Sequence, residues 1–294
     1  MKDDKASSTA FSVLQGILYV AQHKSKQALT PTDQAEACRY ILQQSEQGLT
    51  LLKQLKNPFL LKMMPLVERL SMPGFTLHYV LRKRFIEDSI RHALAEGATQ
   101  IVNIGAGFDT LAWRLHTEFP SATFIEIDHP ATSVVKVDAL VEKGDNLHLI
   151  AVDLSEKSVE SVLGSSAFFD TSRKTAYICE GVLMYLDESV VCSLFQALKN
   201  LTGSGSTFVF TALASMKSKD TNVGLLLKLY LKFKSEPVNW SIEPNQLENF
   251  VKQQGYILEA QANDAHIIKD YDPEGQFSDL LLHKGEFEGM AIVP

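Results

Sequence analysis

QIVNIGAGFDTLAWRL, residues 100–115, holds a strand, a glycine turn and the start of a helix in one run. Four apolar-rich residues lead into Gly105-Ala106-Gly107, and a helical pattern follows. This order is how a nucleotide-binding sheet presents its first loop. Downstream, "ATFIEID", "LHLIAVD", "TAYICE" and "STFVFTAL" are short β-rich runs. "TLAWRLHTEF", "ATSVVKVDALVEK" and "ESVVCSLFQALKNL" are helical and separate them. That alternation predicts a doubly wound, mostly parallel α/β sheet from about residue 99 to 294, with a last strand near "YILEAQA".

Upstream, residues 1–98 read as a helical N-terminal extension or lid. "TPTDQAEACRYILQQSEQGLTLLKQL" predicts one amphipathic helix capped by Thr32 or Asp33, and "NPFLLKMMPLVERLSMPGF" is expected to break at Pro58, Pro65 and Pro73. "TLHYVLRKRFIEDSIRHALAEG" predicts a further helix, closed by Gly97. Within the sheet region, residues 213–243 interrupt the rhythm. "VGLLLKLYLKFK", with Lys228 and Lys232 one turn apart, reads as an inserted helical cap over the site or a subunit contact, or as a helix lying on a membrane.

Of the 294 residues, 45% are hydrophobic, enough for one large α/β domain with a helical addition. A net charge of −7 and a pI near 5.6 run against a nucleic-acid binder, which carries a basic patch. The three cysteines, Cys38, Cys179 and Cys192, form no CxxC pair. They read as reduced thiols of a cytoplasmic protein, with neither a disulfide framework nor a metal site expected. At the N-terminus Asp3 and Asp4 offset Lys2 and Lys5, and Gln15 interrupts an apolar run too short to span a bilayer. A packed helix is expected there, and no membrane span.

Gly105 to Thr110 is G-x-G-x-x-T, with Thr110 where a dinucleotide fingerprint wants a third glycine. An ordinary tight turn accounts for a lone G-x-G equally well. The carboxylates that follow favour a ligand. Asp128 ends the second strand, where an acid accepts from a ribose diol, and Glu126 lies two residues back on the same face. Asp153, with the Leu154 backbone beside it, ends the third strand, where it can accept from an adenine amino group. An adenosine ligand without a pyrophosphate fits this set better than NAD, and S-adenosylmethionine is one. Its methionine carboxylate wants a cation, which Arg82 could supply as a bidentate fork. Its ammonium wants an acceptor, which Glu180 at the end of "YICE" could supply. Arg82 also reads as part of a surface basic cluster with Lys83 and Arg84.

Together these residues resemble the leucine carboxyl methyltransferase family, which also holds tetracenomycin-type polyketide O-methyltransferases. The likeness covers roughly residues 79–210: "YVLRKRFIEDSI", "QIVNIGAGFDTLAWRL", "FIEIDHPATSVVK", "AVDL" and "ICEGVLMYL" follow its motifs in order. Leu111, Glu87 and Asp88 depart from the pattern, and residues 20–75 and 213–243 match it poorly. The resemblance implies a class I methyltransferase, Rossmann-like fold with S-adenosyl-L-methionine as donor. It implies that Arg82 binds the methionine carboxylate, and that Gly105, Ala106 and Gly107 line the donor. Asp128 would then hold the ribose, Asp153 and Leu154 the adenine, and Glu180 would lie beside the methionine. Thr9 would close over it.

The expected acceptor is a carboxylate of a small molecule or a peptide C-terminus. A carboxylate is already ionised near neutral pH and needs no base. The alternative is a hydroxyl or phenol of natural-product biosynthesis, with His78, His129 or Tyr185 as the base. Tyr185 is the candidate for touching the acceptor, and a packed aromatic is its other reading. Two further classes compete: an NAD-dependent oxidoreductase, disfavoured by Thr110, and a donor-binding protein without catalysis.

Overall fold

The computed structural model describes residues 8–23, 26–140, 143–215, 221, 238–272, 274–277 and 280–294. The stretch around Lys228 and Lys232, and with it the expected inserted cap, lies mostly outside them. Five helices come first: α1 (Ser8–Gln22), α2 (Thr32–Gln43), α3 (Glu46–Gln54), α4 (Pro58–Ser71) and α5 (Phe75–Ala95). The predicted single helix over residues 30–55 is therefore two. Ser45 caps the second by accepting from Gly48 N, and Pro31, not Thr32 or Asp33, stands at the cap of the first. Pro65 does not end α4. The helix runs through it, while Pro58 sits in its first turn and Asn57 caps it.

The sheet follows. It comprises β1 (Gln100–Ile104), β2 (Thr123–Asp128), β3 (Leu147–Ala151), β4 (Thr175–Cys179), β5 (Thr207–Leu213), β6 (Ile257–Ala262) and β7 (Glu286–Ile292). Between strands lie α6 (Leu111–Glu118), α7 (Pro130–Ala139), a short α8 (Val159–Gly164), α9 (Glu188–Leu201), α10 (Leu247–Gln253) and α11 (Asp264–Tyr271). The spatial order is β3-β2-β1-β4-β5-β7-β6. β1 to β5 are parallel, and β7 lies antiparallel between β5 and β6. β7 is the strand missing from the sequence reading, which stops at β6.

The chain order reverses at β1, with β2 on one side and β4 on the other. That is the switch point where open α/β sheets bind ligands beyond the strands' carboxyl ends. β1 and β4 are buried at every residue, so the carboxyl edge at this switch point is built on core strands. Apolar clusters fill both faces of the sheet, one around Tyr177, Phe195 and Phe208, the other around Ile90, Leu115 and Phe124. A third joins α1, α2 and α5 to Phe108 of the glycine loop. No helix among the described residues is long and apolar enough to cross a membrane.

Candidate donor-binding site

β1 hands the chain to the loop at Gly105, whose φ of 68° is a left-handed conformation that favours glycine. A Cβ there would also stand 2.5 Å from Val182 Cγ2, so the loop lies close under the turn after β4. Gly107 has φ 50° and donates its N–H to Asp128 at 2.5 Å. Helix α1 lies over this loop. Ala10 Cβ is 3.6 Å from where a Cβ on Gly107 would be, and the Phe11 and Phe108 rings meet edge to face at 4.7 Å. Thr9 is thus carried in the first turn of the helix that covers the loop.

Asp128 also accepts from His129 N at 2.7 Å, and burial raises its pKa despite those two bonds. Each oxygen keeps lone pairs for a diol. Glu126, on the same strand, is buried and paired with Lys136 at 2.6 Å. Asp153 is exposed enough to meet a ligand, accepts from Ser155 N, and stands 3.5 Å from His129 Nε2. Leu154 is half-buried against the sheet core. His129 Nδ1 accepts from Ala131 N and caps α7.

The basic run on α5 divides three ways. Arg84 donates to Leu29 O and lies over the Tyr271 ring. Arg82 and Lys83 turn inward, and Arg82 is only 5% exposed, so the surface-cluster reading fails for both. Arg82 reaches Glu180 at 2.8 Å through one terminal nitrogen and Glu286 at 3.0 Å through the other, and its Nε is buried without a partner. Lys83 bridges Glu180, at 2.7 Å, and Asp109. Burial opposes its charge, but Asp109 and then Glu180 outweigh it, and the Lys83 pKa is raised. Arg82 and Glu180, assigned to opposite ends of one zwitterion from sequence, are thus neighbours at the switch point.

Sequence reasoning does not reach Lys83, Asp109 or Glu286. Lys83 is hidden by its basic neighbours. Glu286 belongs to the unrecognised strand, whose signal is two acids, Glu286 and Glu288, alternating with apolar residues. Because β7 is antiparallel, its first residue pairs with Leu213, the last of β5. That brings Glu286 to the same carboxyl edge as Glu180.

His78 is fully buried, with Asp264 at 2.7 Å on Nδ1 and Glu286 at 3.0 Å on Nε2. Burial works against its charge, but the two carboxylates outweigh it and hold the imidazolium up to about 10. Both nitrogens donate, so no lone pair remains for a base or for a metal. This holds even though Glu288 brings a carboxylate oxygen into a group with His78 and Asp264 that spans 4.8 Å. Tyr185 closes a 3-10 turn (Leu183–Tyr185) just past β4 and is half-buried at the carboxyl edge.

The family profile described as leucine carboxyl methyltransferase matches residues 17–199. The chain belongs to that family. A Streptomyces coelicolor protein named "putative S-adenosyl-L-methionine-dependent methyltransferase" is 34% identical over 137 residues, 45% of this chain and 47% of that protein. A Mycobacterium tuberculosis relative of the same name is 29% identical over 186 residues, 58% of this chain and 61% of its own. The chain spans about half to three-fifths of the length of these curated relatives. The crystal structure of a DUF574 family protein from Streptomyces avermitilis shares the fold along 99% of this chain and 98% of its own, with a TM-score of 0.61 at 13% identity. The family's class I methyltransferase architecture is the one seen here.

Proposed function

We propose that this member of the leucine carboxyl methyltransferase family transfers a methyl group from S-adenosyl-L-methionine to a carboxylate oxygen. Support for the donor comes from the acid-lined carboxyl edge. Asp128 would accept from the ribose, Asp153 and the Leu154 backbone would meet the adenine, and Gly105, Ala106 and Gly107 would line the donor. Arg82, with its Nε buried and unpartnered, would take the methionine carboxylate, and Glu180 would take the ammonium. When bound, the donor supplies an electrophilic methyl on a sulfonium. The chain's part is then to hold an acceptor oxygen in line and keep water out.

One observation favours a carboxylate acceptor over a hydroxyl: the histidines that could serve as bases are committed elsewhere. His78 is an imidazolium clasped by two carboxylates, and His129 caps α7. A carboxylate, with a pKa of roughly 4, needs neither. Tyr185, at the rim, would touch the acceptor without moving a proton. The test is a labelled-methyl assay over a panel of carboxylic and phenolic acceptors. Label in base-labile esters is the expected result, and label confined to phenolic ethers would overturn the carboxylate reading. Calorimetry should show binding of S-adenosyl-L-methionine and none of NAD.

A further inference from the structure

The ion pairs around Arg82 extend well past the carboxyl edge. From α11 to the glycine loop, buried side chains alternate in sign: Asp264, His78, Glu286, Arg82, Glu180, Lys83, Asp109. His78 and Arg82 are one turn apart on α5, so two cations stack on one helix face, where like charges repel. Glu286 stands between them and accepts from both, with Arg82 reaching both of its oxygens, at 3.0 and 3.1 Å. Asp264 holds the far side of His78 and is itself fixed by the His283 N–H at 3.1 Å.

Glu286 is therefore shared. A carboxylate left to Arg82 alone would draw the guanidinium into a full two-pronged pair. That pair would take up the fork and pull it toward β7, away from the crevice. With one of its oxygens also accepting from His78, Glu286 holds a single terminal nitrogen of Arg82, and Nε stays without a partner. We propose that His78 is a positioning residue for the donor. Its imidazolium balances Glu286, so that Arg82 keeps its Nε–H for the ligand's carboxylate. The inference rests on the proposed reading of Arg82 as the carboxylate clamp.

The experiment measures, by calorimetry, the affinities of S-adenosyl-L-methionine and its decarboxylated analogue, which lacks the group Arg82 would hold. In His78→Gln the affinity for the full donor should fall about tenfold, while that for the analogue stays within twofold of wild type. In the double variant His78→Gln with Glu286→Gln, the charge that His78 balances is gone, and the preference for the carboxylated donor should return. A purely structural role for His78 predicts further loss in the double variant, or equal loss for both ligands, and either result overturns the proposal. Should His78→Gln not fold, Asp264→Asn carries the same test, with a selective loss of a few-fold expected and an unchanged ratio counting against. Arg82→Lys separates the two levels. If it leaves the ratio of affinities unchanged, the clamp reading itself is wrong. If it collapses the ratio while His78→Gln does not, only the role of His78 is refuted.

Discussion

Asp128 spends one carboxylate on two backbone N–H groups, Gly107 and His129, and so ties the end of β2 to the glycine loop. The same oxygens would accept from a ribose diol. Asp128→Ala is expected to weaken donor binding by roughly 1.5–3 kcal/mol, the scale of hydrogen bonds to a charged group. Unchanged affinity in a folded variant, measured by calorimetry, would remove it from the site. Glu288 is a different kind of acid: fully buried, with both oxygens unpartnered. Burial, reinforced by Asp264 and Glu286, pushes its pKa up to about 8 from 4.5, against the pull of His78 and Arg82. The sign follows from linkage. Below about 4.5 both folded and unfolded chains hold the proton. Between 4.5 and about 8 the unfolded chain releases it and the folded chain keeps it, so this group erodes stability as pH rises. Glu288→Gln removes the effect. Its melting temperature should exceed wild type by roughly 2–4 °C at pH 8, about 1 kcal/mol for a domain of this size, and by clearly less at pH 5. An equal shift at both pH values would contradict the assignment.

Among the elements, α1 is the one whose position is easiest to test. Phe11 is 2% exposed and packs edge to face on Phe108, so α1 is fastened to the loop that follows β1. Phe11→Ala should cost about 3–5 kcal/mol of stability, as buried aromatic truncations do, and should weaken donor affinity by freeing the loop. Chemical denaturation and calorimetry together check this, and a destabilised variant with intact affinity would leave α1 a purely structural role. The elements also show where the sequence is legible. β1 to β5 are, because they are short apolar runs between helices of clear periodicity. The places of Gly105, Asp128, Asp153 and Glu180 are too, because each stands at or just past the end of a strand. β7 is not. Its acids, Glu286 and Glu288, disguise a buried strand, and Glu286 is tolerated there because α5 brings His78 and Arg82 to meet it. Pro65 misleads for a local reason: the helix tolerates it on an exposed flank of α4. Partners that arrive from 186 to 208 residues away leave no local pattern to read.

Across the whole molecule, the family profile ends at residue 199, yet Asp264 and Glu286 of the C-terminal part complete the charge chain that starts on α5. Helical extension, parallel sheet and antiparallel C-terminal strand therefore meet at the carboxyl edge of the sheet, and the proposed chemistry depends on what titrates there. His78, faced by Asp264, Glu286 and Glu288 and by the cations Arg82 and, when protonated, His283, stays an imidazolium from pH 6 to 8. It offers no base in that window. With a carboxylate acceptor and saturating donor, turnover should be level from about pH 6 to pH 8, since the acceptor, with a pKa near 4, is fully ionised throughout. Tyr185→Phe should lower the rate only modestly, because no proton transfer is lost. A phenol or alcohol acceptor would instead give a rate that climbs with pH, and loss of its base would cost roughly 10²-fold or more. A steep rise on the best acceptor found, abolished in Tyr185→Phe, would make Tyr185 a base. It would turn the acceptor from carboxylate to hydroxyl and leave the donor site as described.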